Sequence, residues 1–327
     1  MSCPPCRTPG WFTRAKGDIM INTLFILAYC AIFLLTAASV AWVFRKVLTG
    51  VAPPRFGKLL QHVPLTASFG MLIVILYVII AVFAPVLAPF GEREVVGQQY
   101  LPWDGEFLLG TDNLGRDMLS RLIYGARNSV GIALVTTLIT FFLGTSLGLL
   151  AATLGGWVDQ VISRIVDVII AIPALIFALL LLSIVGTSIV NMIVVISFIE
   201  ATRVYRLARS VTLNVVVLDY VEAAKLRGDG LFRLIFREIL PNITAPLVAE
   251  FGLRFCFVFL AVSTLSFLGL GIQPPTADWG SMVRDNATLI SFGDITPLLP
   301  AAAIALLTIA INFIVDWMLH VSSGLKE

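Results

Sequence analysis

The chain has 327 residues, of which 58% are hydrophobic and 13% charged, with a mean hydropathy of +0.97. Soluble domains carry about 25% charged residues, so this chain lacks the charge to cover a water-facing surface, and disordered, collagenous and coiled-coil chains are excluded. A net charge of +2 gives no signal for nucleic acid, and Cys3, Cys6, Cys30 and Cys256 are too few and too scattered for a disulfide framework.

What remains is an all-α polytopic membrane protein, because a backbone in lipid must satisfy its hydrogen bonds internally. About 20 apolar residues cross the hydrocarbon core. Taken in chain order, the first window is Ile19–Phe44. The tail before it holds Arg7, Arg14 and Lys16. That tail crosses the membrane against its charge, or the true start is Met20, or the window is a signal peptide; its length and the lack of a clear cleavage site argue against the last. Cys3-Pro-Pro-Cys6 has the C-x-x-C spacing but no second ligand pair. A basic linker with Arg45, Lys46, Arg55 and Lys58 leads to the second window, Leu65–Ala88.

The segment Phe90–Arg127 follows. Thr111 or Asp112 is expected to cap a helix over Asn113–Arg127, with Asp112–Arg116 and Asp117–Arg121 as i,i+4 pairs. Leu114, Met118, Leu122 and Ile123 would lay that helix on the membrane surface. It serves an outer gate or a docking partner, or it is a packed linker.

The third window is Val130–Leu154. It contains Gly144-Thr145-Ser146-Leu147-Gly148, a match to G-x-S-x-G, so an intramembrane serine protease is a remote alternative. Only His62 and His320 exist to serve such a serine, and small residues at this spacing also suit close helix packing. The fourth and fifth windows, Ile162–Val185 and Ile189–Leu207, are joined by the tight turn Gly186-Thr187-Ser188. Arg164 and Asp167, three apart, are expected to neutralise each other, whereas Glu200 has only Arg203 nearby.

The next polar segment carries Arg203, Arg206, Arg209, Lys225, Arg227, Arg233 and Arg237, which places it in the cytoplasm. Alternation then puts Phe90–Arg127 and Gly269–Ile295 outside, where nine acidic residues face five basic ones. Asp219 is expected to cap a short helix beginning near Val221. Gly228 and Gly230 would supply positive φ to end it. Leu231, Leu234, Ile235 and Ile239 continue as a second apolar stripe, and Pro241 opens the sixth window, Thr244–Leu268. In that window Glu250 and Arg254 lie four apart and should pair. Gly269, Gly271, Pro274 and Pro275 form a fixed turn, with Trp279 at interfacial depth. The seventh window is Pro297–Leu319, where Asp316 lies one turn from His320.

Three stretches carry a family resemblance. Glu222-Ala223-Ala224-Lys225-Leu226-Arg227-Gly228, with Ile239-Leu240-Pro241 further on, resembles the EAA loop of ABC-importer permeases. Leu109-Gly110-Thr111-Asp112-Asn113-Leu114-Gly115-Arg116-Asp117 is similar to the G-T-D-x-x-G-R-D segment of the dipeptide/oligopeptide/nickel branch. Leu265-Ser266-Phe267-Leu268-Gly269-Leu270-Gly271-Ile272-Gln273-Pro274-Pro275, with Trp279-Gly280, resembles its L-S-F-L-G-L-G-x-Q-P-P…W-G stretch. The match covers about residues 60 to 320 and is nearest to the C-type permease partner. Glu238 departs from the wider family, which has an apolar residue there, and agrees with the peptide branch.

The resemblance implies a type I importer permease core of six spans, with one extra N-terminal span. Residues 1–64 would hold the tail, the extra span and the linker; residues 65–320 the permease domain, its EAA loop at about 208–243; residues 321–327 a tail. It implies an importer of peptides or peptide-like solutes in the bacterial cytoplasmic membrane, with the C-terminus cytoplasmic. The implied partners are a second permease subunit, two ATP-binding subunits, an extracytoplasmic substrate-binding protein and membrane lipid. ATP and Mg would sit on partner subunits, with no cofactor, metal or catalytic residue on this chain, which has no P-loop. Glu222, Ala223, Ala224, Gly228, Asp229 and Leu231 are implied to couple to the ATPase. Glu222 would orient the coupling helix, the two alanines would permit close docking and Gly228 would make the turn. Thr111, Asp112, Arg116, Asp117, Gln273 and Trp279 are candidates for the outer gate or binding-protein contact. An ion-coupled secondary transporter is the rival, since apolar spans alone look alike.

Overall fold

A computed structural model describes residues 36, 38–46, 63–103 and 107–323, the side chains of 322 and 323 excepted. Most of the first window, the Cys3–Cys6 motif and His62 lie outside the described residues. The chain falls into two compact units, one up to Leu72 and one from Ile73. In the first, residues 38–46 are helical, Lys46 lies 3.9 Å from the Trp42 ring centroid, and Arg45 donates to the Val63 carbonyl.

The described elements are helical, with one isolated bridge between Thr111 and Asp117. They are α1 (Leu65–Leu87), α2 (Met118–Leu154), α3 (Gly156–Ala171), α4 (Ala174–Val185), α5 (Ile189–Val216) and α6 (Asp219–Leu226). A helical run over Leu231–Phe267 contains a π-helical stretch, Leu234–Ile239, and α7 (Leu240–Phe267). The short α8 (Trp279–Asn286) and the long α9 (Leu298–Ser323) complete the set.

Four of these helical runs are long and apolar enough to cross a membrane, and the bent pair α3–α4 makes a fifth. The fourth window is therefore not one straight helix: α3 and α4 meet at 92°. The reason is local. Pro173 clashes with a helical residue before it, and Ile172 is extended at φ −86°, ψ 131°. The fifth window is helical as α5, 28 residues long, but Glu200, Arg203, Arg206 and Arg209 keep it out of the purely apolar set. Ser188 caps it by accepting from the Asn191 N–H, as the tight turn requires.

The supposed surface helix over Asn113–Arg127 does not exist as a separate element. Asp117 is the cap, accepting from the Ser120 N–H, and the helix from Met118 runs without interruption into the third span. Pro241 stands in the first turn of α7, at the opening of the sixth span as expected, but the helical run continues into it from the residues before. Pro241 cannot donate to a carbonyl one turn back, and the preceding residues widen into the π stretch, where Leu240 N–H reaches Ile235 O.

α2 and α5 pack along their length through small residues. A Cβ on Gly144 would stand 2.6 Å from the Ala201 carbonyl, and one on Gly148 would stand 2.9 Å from the Tyr205 carbonyl. The glycines of the G-x-S-x-G match are thus a packing seam, with no catalytic elbow between them. α7 crosses both helices and packs on α9. Ala178, Leu182, Met192, Ile196, Ile199, Val258, Val262 and Leu265 form the core between α4, α5 and α7. Gly148→Leu should overpack the seam, at a cost of about 1–3 kcal/mol, and lower the melting temperature of the detergent-solubilised protein. Ser146→Ala should leave both melting and transport unchanged.

Candidate functional site: the α6 elbow and the outer clamp

α6 sits between α5 and the π stretch. Asp219 and Glu222 lie in its first turn and Lys225 in its last, each favourable to the helix dipole. The cap is Leu218 with no side-chain bond, so Asp219 is the first helical residue rather than the cap. The helix ends in a Schellman arrangement: Asp229 N–H donates to Ala224 O, and Gly228 N–H to Lys225 O. Gly228 has φ +80°, as this ending requires, whereas Gly230 is extended at φ −66° and needs no glycine freedom. Asp229 braces the turn. Its carboxylate accepts from Arg233 at 3.0 Å and from Arg227 at 3.2 Å, and the Arg233 hydrogen bond holds its pKa below the ordinary carboxylate value.

The two faces of the elbow differ. Val221 and Ala224 are fully buried, packed with Leu149 of α2, Ala208 of α5, and Leu234, Ile235, Ile239, Ile243 and Leu247 of the following run. Ala224 therefore permits close approach within the chain, and only Ala223 and Glu222 of that motif face outward. The outward surface is apolar: Leu226 is 84% exposed, Phe232 74% and Phe236 52%, with the two phenylalanine rings 4.3 Å apart. Leu231 is exposed as well. Arg227 and Arg233, both held by Asp229, rim this exposed apolar patch. Phe232 and Phe236 were not among the residues singled out in the sequence; their i,i+4 spacing opposite the buried stripe was the available signal.

At the other end, the residues proposed for outer contact are mostly interior. Thr111, Asp112, Arg116, Asp117 and Trp279 are all buried, and only Gln273 is exposed. Asp112 is the hub. One carboxylate oxygen accepts from the Leu114 and Arg116 N–H groups, each at 2.9 Å; the other faces Arg116 Nε at 2.7 Å and Arg121 Nε at 3.2 Å. Arg121 thus pairs with Asp112 and not with Asp117. Thr111 donates to Gln98 O and accepts from the Leu101 N–H. Gln273 donates to the Gly269 and Gly271 carbonyls of its own turn.

Trp279 lies in protein rather than at a lipid interface. Its Nε1 donates to Leu122 O at 3.0 Å, and its ring meets Tyr77 edge-on at 5.6 Å. Glu92, Asn128, Ser129 and Asp278 clamp the two outer segments: Glu92 accepts from Ala277 N–H and Asn128, and Ser129 donates to Asp278. Burial pushes the Asp278 carboxyl above its ordinary value.

Between the two ends lies a charge cluster. Arg254 pairs with Glu250 one turn before it, as the spacing predicts, and also with Glu200 on α5 at 2.7 Å. Arg164 and Asp167, by contrast, form no ion pair among the described residues. Among the described residues no three His, Cys, Asp or Glu side chains gather where they could hold a metal ion.

The apolar helical runs describe a polytopic membrane protein, and the comparisons with known proteins make it a transport permease. The family model described as "Binding-protein-dependent transport system inner membrane component" matches residues 144–323. The chain is 38% identical over 254 residues to the di/tripeptide transport system permease protein DppC of Pseudomonas aeruginosa, covering 76% of this chain and 84% of that one. It is 34% identical over 257 residues to the dipeptide transport system permease protein DppC of Haemophilus influenzae, covering 76% and 87%. It is 34% identical over 259 residues to the glutathione transport system permease protein GsiD of Pectobacterium atrosepticum, covering 78% and 85%. The chain belongs to the binding-protein-dependent family of ABC-importer inner membrane permeases.

Two outcomes follow from the outer clamp. Asp112→Ala leaves two buried guanidinium groups facing each other and should destabilise by about 3–5 kcal/mol, read as a lower melting temperature. Asp278, whose folded pKa is raised, gives its full stabilisation below its unfolded value of about 4 and loses it as pH rises through the folded value. Melting temperatures taken across that range should fall with pH, and Asp278→Asn should flatten the slope.

Proposed function

We propose that this chain forms one half of the translocation pathway of an ATP-driven importer for peptides or peptide-like solutes. A second permease subunit forms the other half, two ATP-binding subunits with ATP and Mg dock at the α6 end, and an extracytoplasmic binding protein delivers solute at the clamp end. The α6 end and the C-terminus then lie in the cytoplasm of a bacterium, in agreement with the basic residues of the 203–237 segment. The observation that carries the reading is the pair of faces on α6. Leu226, Phe232 and Phe236 offer an ATPase subunit an apolar grip, while Val221 and Ala224 pass any displacement into α2, α5 and α7 at once.

The mechanism is alternating access. ATP binding draws the two ATPase subunits together, and the gripped elbow moves with them. An interior at crystal-like density is stiff, so the shift reaches the spans instead of being absorbed. Nucleotide can bias the bundle only by binding its two states with different affinity. Glu222 and Ala223 face the partner, Gly228 fixes the elbow's end and Asp229 braces it. At the clamp end, the exposed Leu108, Leu114, Trp103 and Gln273 receive the binding protein, while Asp112, Arg116 and Trp279 hold that end in shape.

Reconstitution in proteoliposomes with the other subunits tests this. Leu226→Asp should abolish co-purification of the ATPase subunits while leaving the permease folded. Gly228→Val forces a β-branched residue into the left-handed region, costing about 1–2 kcal/mol or more, and should leave ATP hydrolysis while abolishing solute uptake. Normal uptake and normal stimulated hydrolysis in both variants would overturn the assignment.

A further inference from the structure

Two cavities of opposite character open where α3 packs against α5. The first, about 370 Å³, is polar: Ser163 and Asp167 of α3 line it with Arg206, Arg209 and Ser210 of α5. The second, about 290 Å³, is apolar, with Leu143 and Leu147 of α2, Ile165 of α3 and Phe198 of α5 among its walls. Tyr205 lines both, and its hydroxyl lies 2.8 Å from that of Ser163.

The cavities sit at different depths. On α5 the apolar lining runs over 198–205 and the polar lining over 205–210. Counted from Ile189 at 1.5 Å per residue, Phe198 stands about 14 Å along the axis, Arg206 about 26 Å and Arg209 about 30 Å. The hydrocarbon core is about 30 Å thick. With the Gly186–Ser188 turn at the outer surface, the polar cavity falls at the inner boundary and the apolar one within the core. That is the layering of a phospholipid in the cytoplasmic leaflet, its head toward α6 and its chains toward the midplane.

The charges at the polar cavity cancel, but one pair is left open. Arg209 is closed, since it donates to Asp159 at 2.6 Å. Asp167 and Arg206 are both exposed, and neither side chain has a hydrogen bond or ion pair among the described residues. Arg164, the other charge on this part of α3, lines neither cavity. A carboxylate and a guanidinium that share a cavity without pairing do not select an anion; they complement a ligand carrying both signs. A primary ammonium donates N–H bonds to a carboxylate, which a quaternary choline head cannot do. A phosphate accepts the two parallel N–H groups of the guanidinium.

We propose that the α3–α5 seam binds a phospholipid with a zwitterionic primary-amine headgroup, of the phosphatidylethanolamine class. Arg206 takes the phosphate, Asp167 the ammonium, and one acyl chain enters the apolar cavity beyond Tyr205. Trp157, Val161, Ile165 and Val168, all exposed on α3, give the second chain an apolar bed. The proposal rests on the orientation given by the basic 203–237 segment and is independent of which solute is carried.

The test is native mass spectrometry of the full-length chain, alone and assembled with its partner subunits. Each is titrated in detergent with phosphatidylethanolamine, phosphatidylcholine or phosphatidylglycerol. Phosphatidylethanolamine should bind about tenfold more tightly than the other two, the scale of one charge-assisted hydrogen bond. Asp167→Asn should erase most of the advantage over phosphatidylcholine, a ratio taken on one protein and so unaffected by a change in its stability. Arg206→Gln should weaken both lipids about tenfold, and Arg206→Lys should restore part of the loss. Equal affinity for the three lipids would overturn the proposal, as would a preference unchanged by Asp167→Asn or affinities unchanged by Arg206→Gln. Equal competition by chain-free glycerophosphoethanolamine would show a solute site instead. Loss of the lipid on assembly would show that the second permease covers this face. Either result also overturns the proposal.

Discussion

Hydrocarbon offers no hydrogen bonds, and this single constraint orders the bundle. Every charge that enters the spans has to find its match within the protein or at a wet surface. Glu200, Glu250 and Arg254 do so by pairing across α5 and α7, which ties the two helices together at a buried point. Thr136 and Thr137 turn their hydroxyls back onto the carbonyls four residues before them, and Ser197 of α5 donates to Thr136 O of α2. Shape then governs how closely the helices associate. The glycine seam of α2 lets α5 approach until backbone touches side chain.

The same close packing holds the elbow in place. A helix of eight residues cannot hold itself in water. α6 is held because Val221 and Ala224 are sunk among residues of α2, α5 and the run leading to α7. A displacement applied to its outer side therefore cannot be absorbed locally. The π stretch next to it lies just before Pro241, which has no N–H to give to a carbonyl one turn back.

Much of this was legible in the residues. The second, third, sixth and seventh apolar windows, the tight turn at Gly186–Ser188, the Glu250–Arg254 pair and the turn glycine at Gly228 are local, and local spacing reports them well. Errors arose where a distant partner decided the outcome. Asp117 is within reach of Arg121 by spacing, but it caps α2 while Arg121 turns to Asp112. Trp279 has the amphipathic ring of an interfacial anchor, yet Leu122, Tyr77 and Phe259 enclose it. Ala224 looked available to a partner and is filled by the chain's own core.

By itself the sequence determined the solvent of this protein and the elbow with its glycine ending, because hydropathy and left-handed φ are properties of single residues and near neighbours. Only the tertiary structure decided which side of the elbow faces outward, that the 111–121 motif is a buried clamp, and that Glu200 reaches Arg254 across two helices. Those outcomes depend on residues more than fifty positions apart meeting at a fixed distance, and no short-range pattern encodes such a meeting.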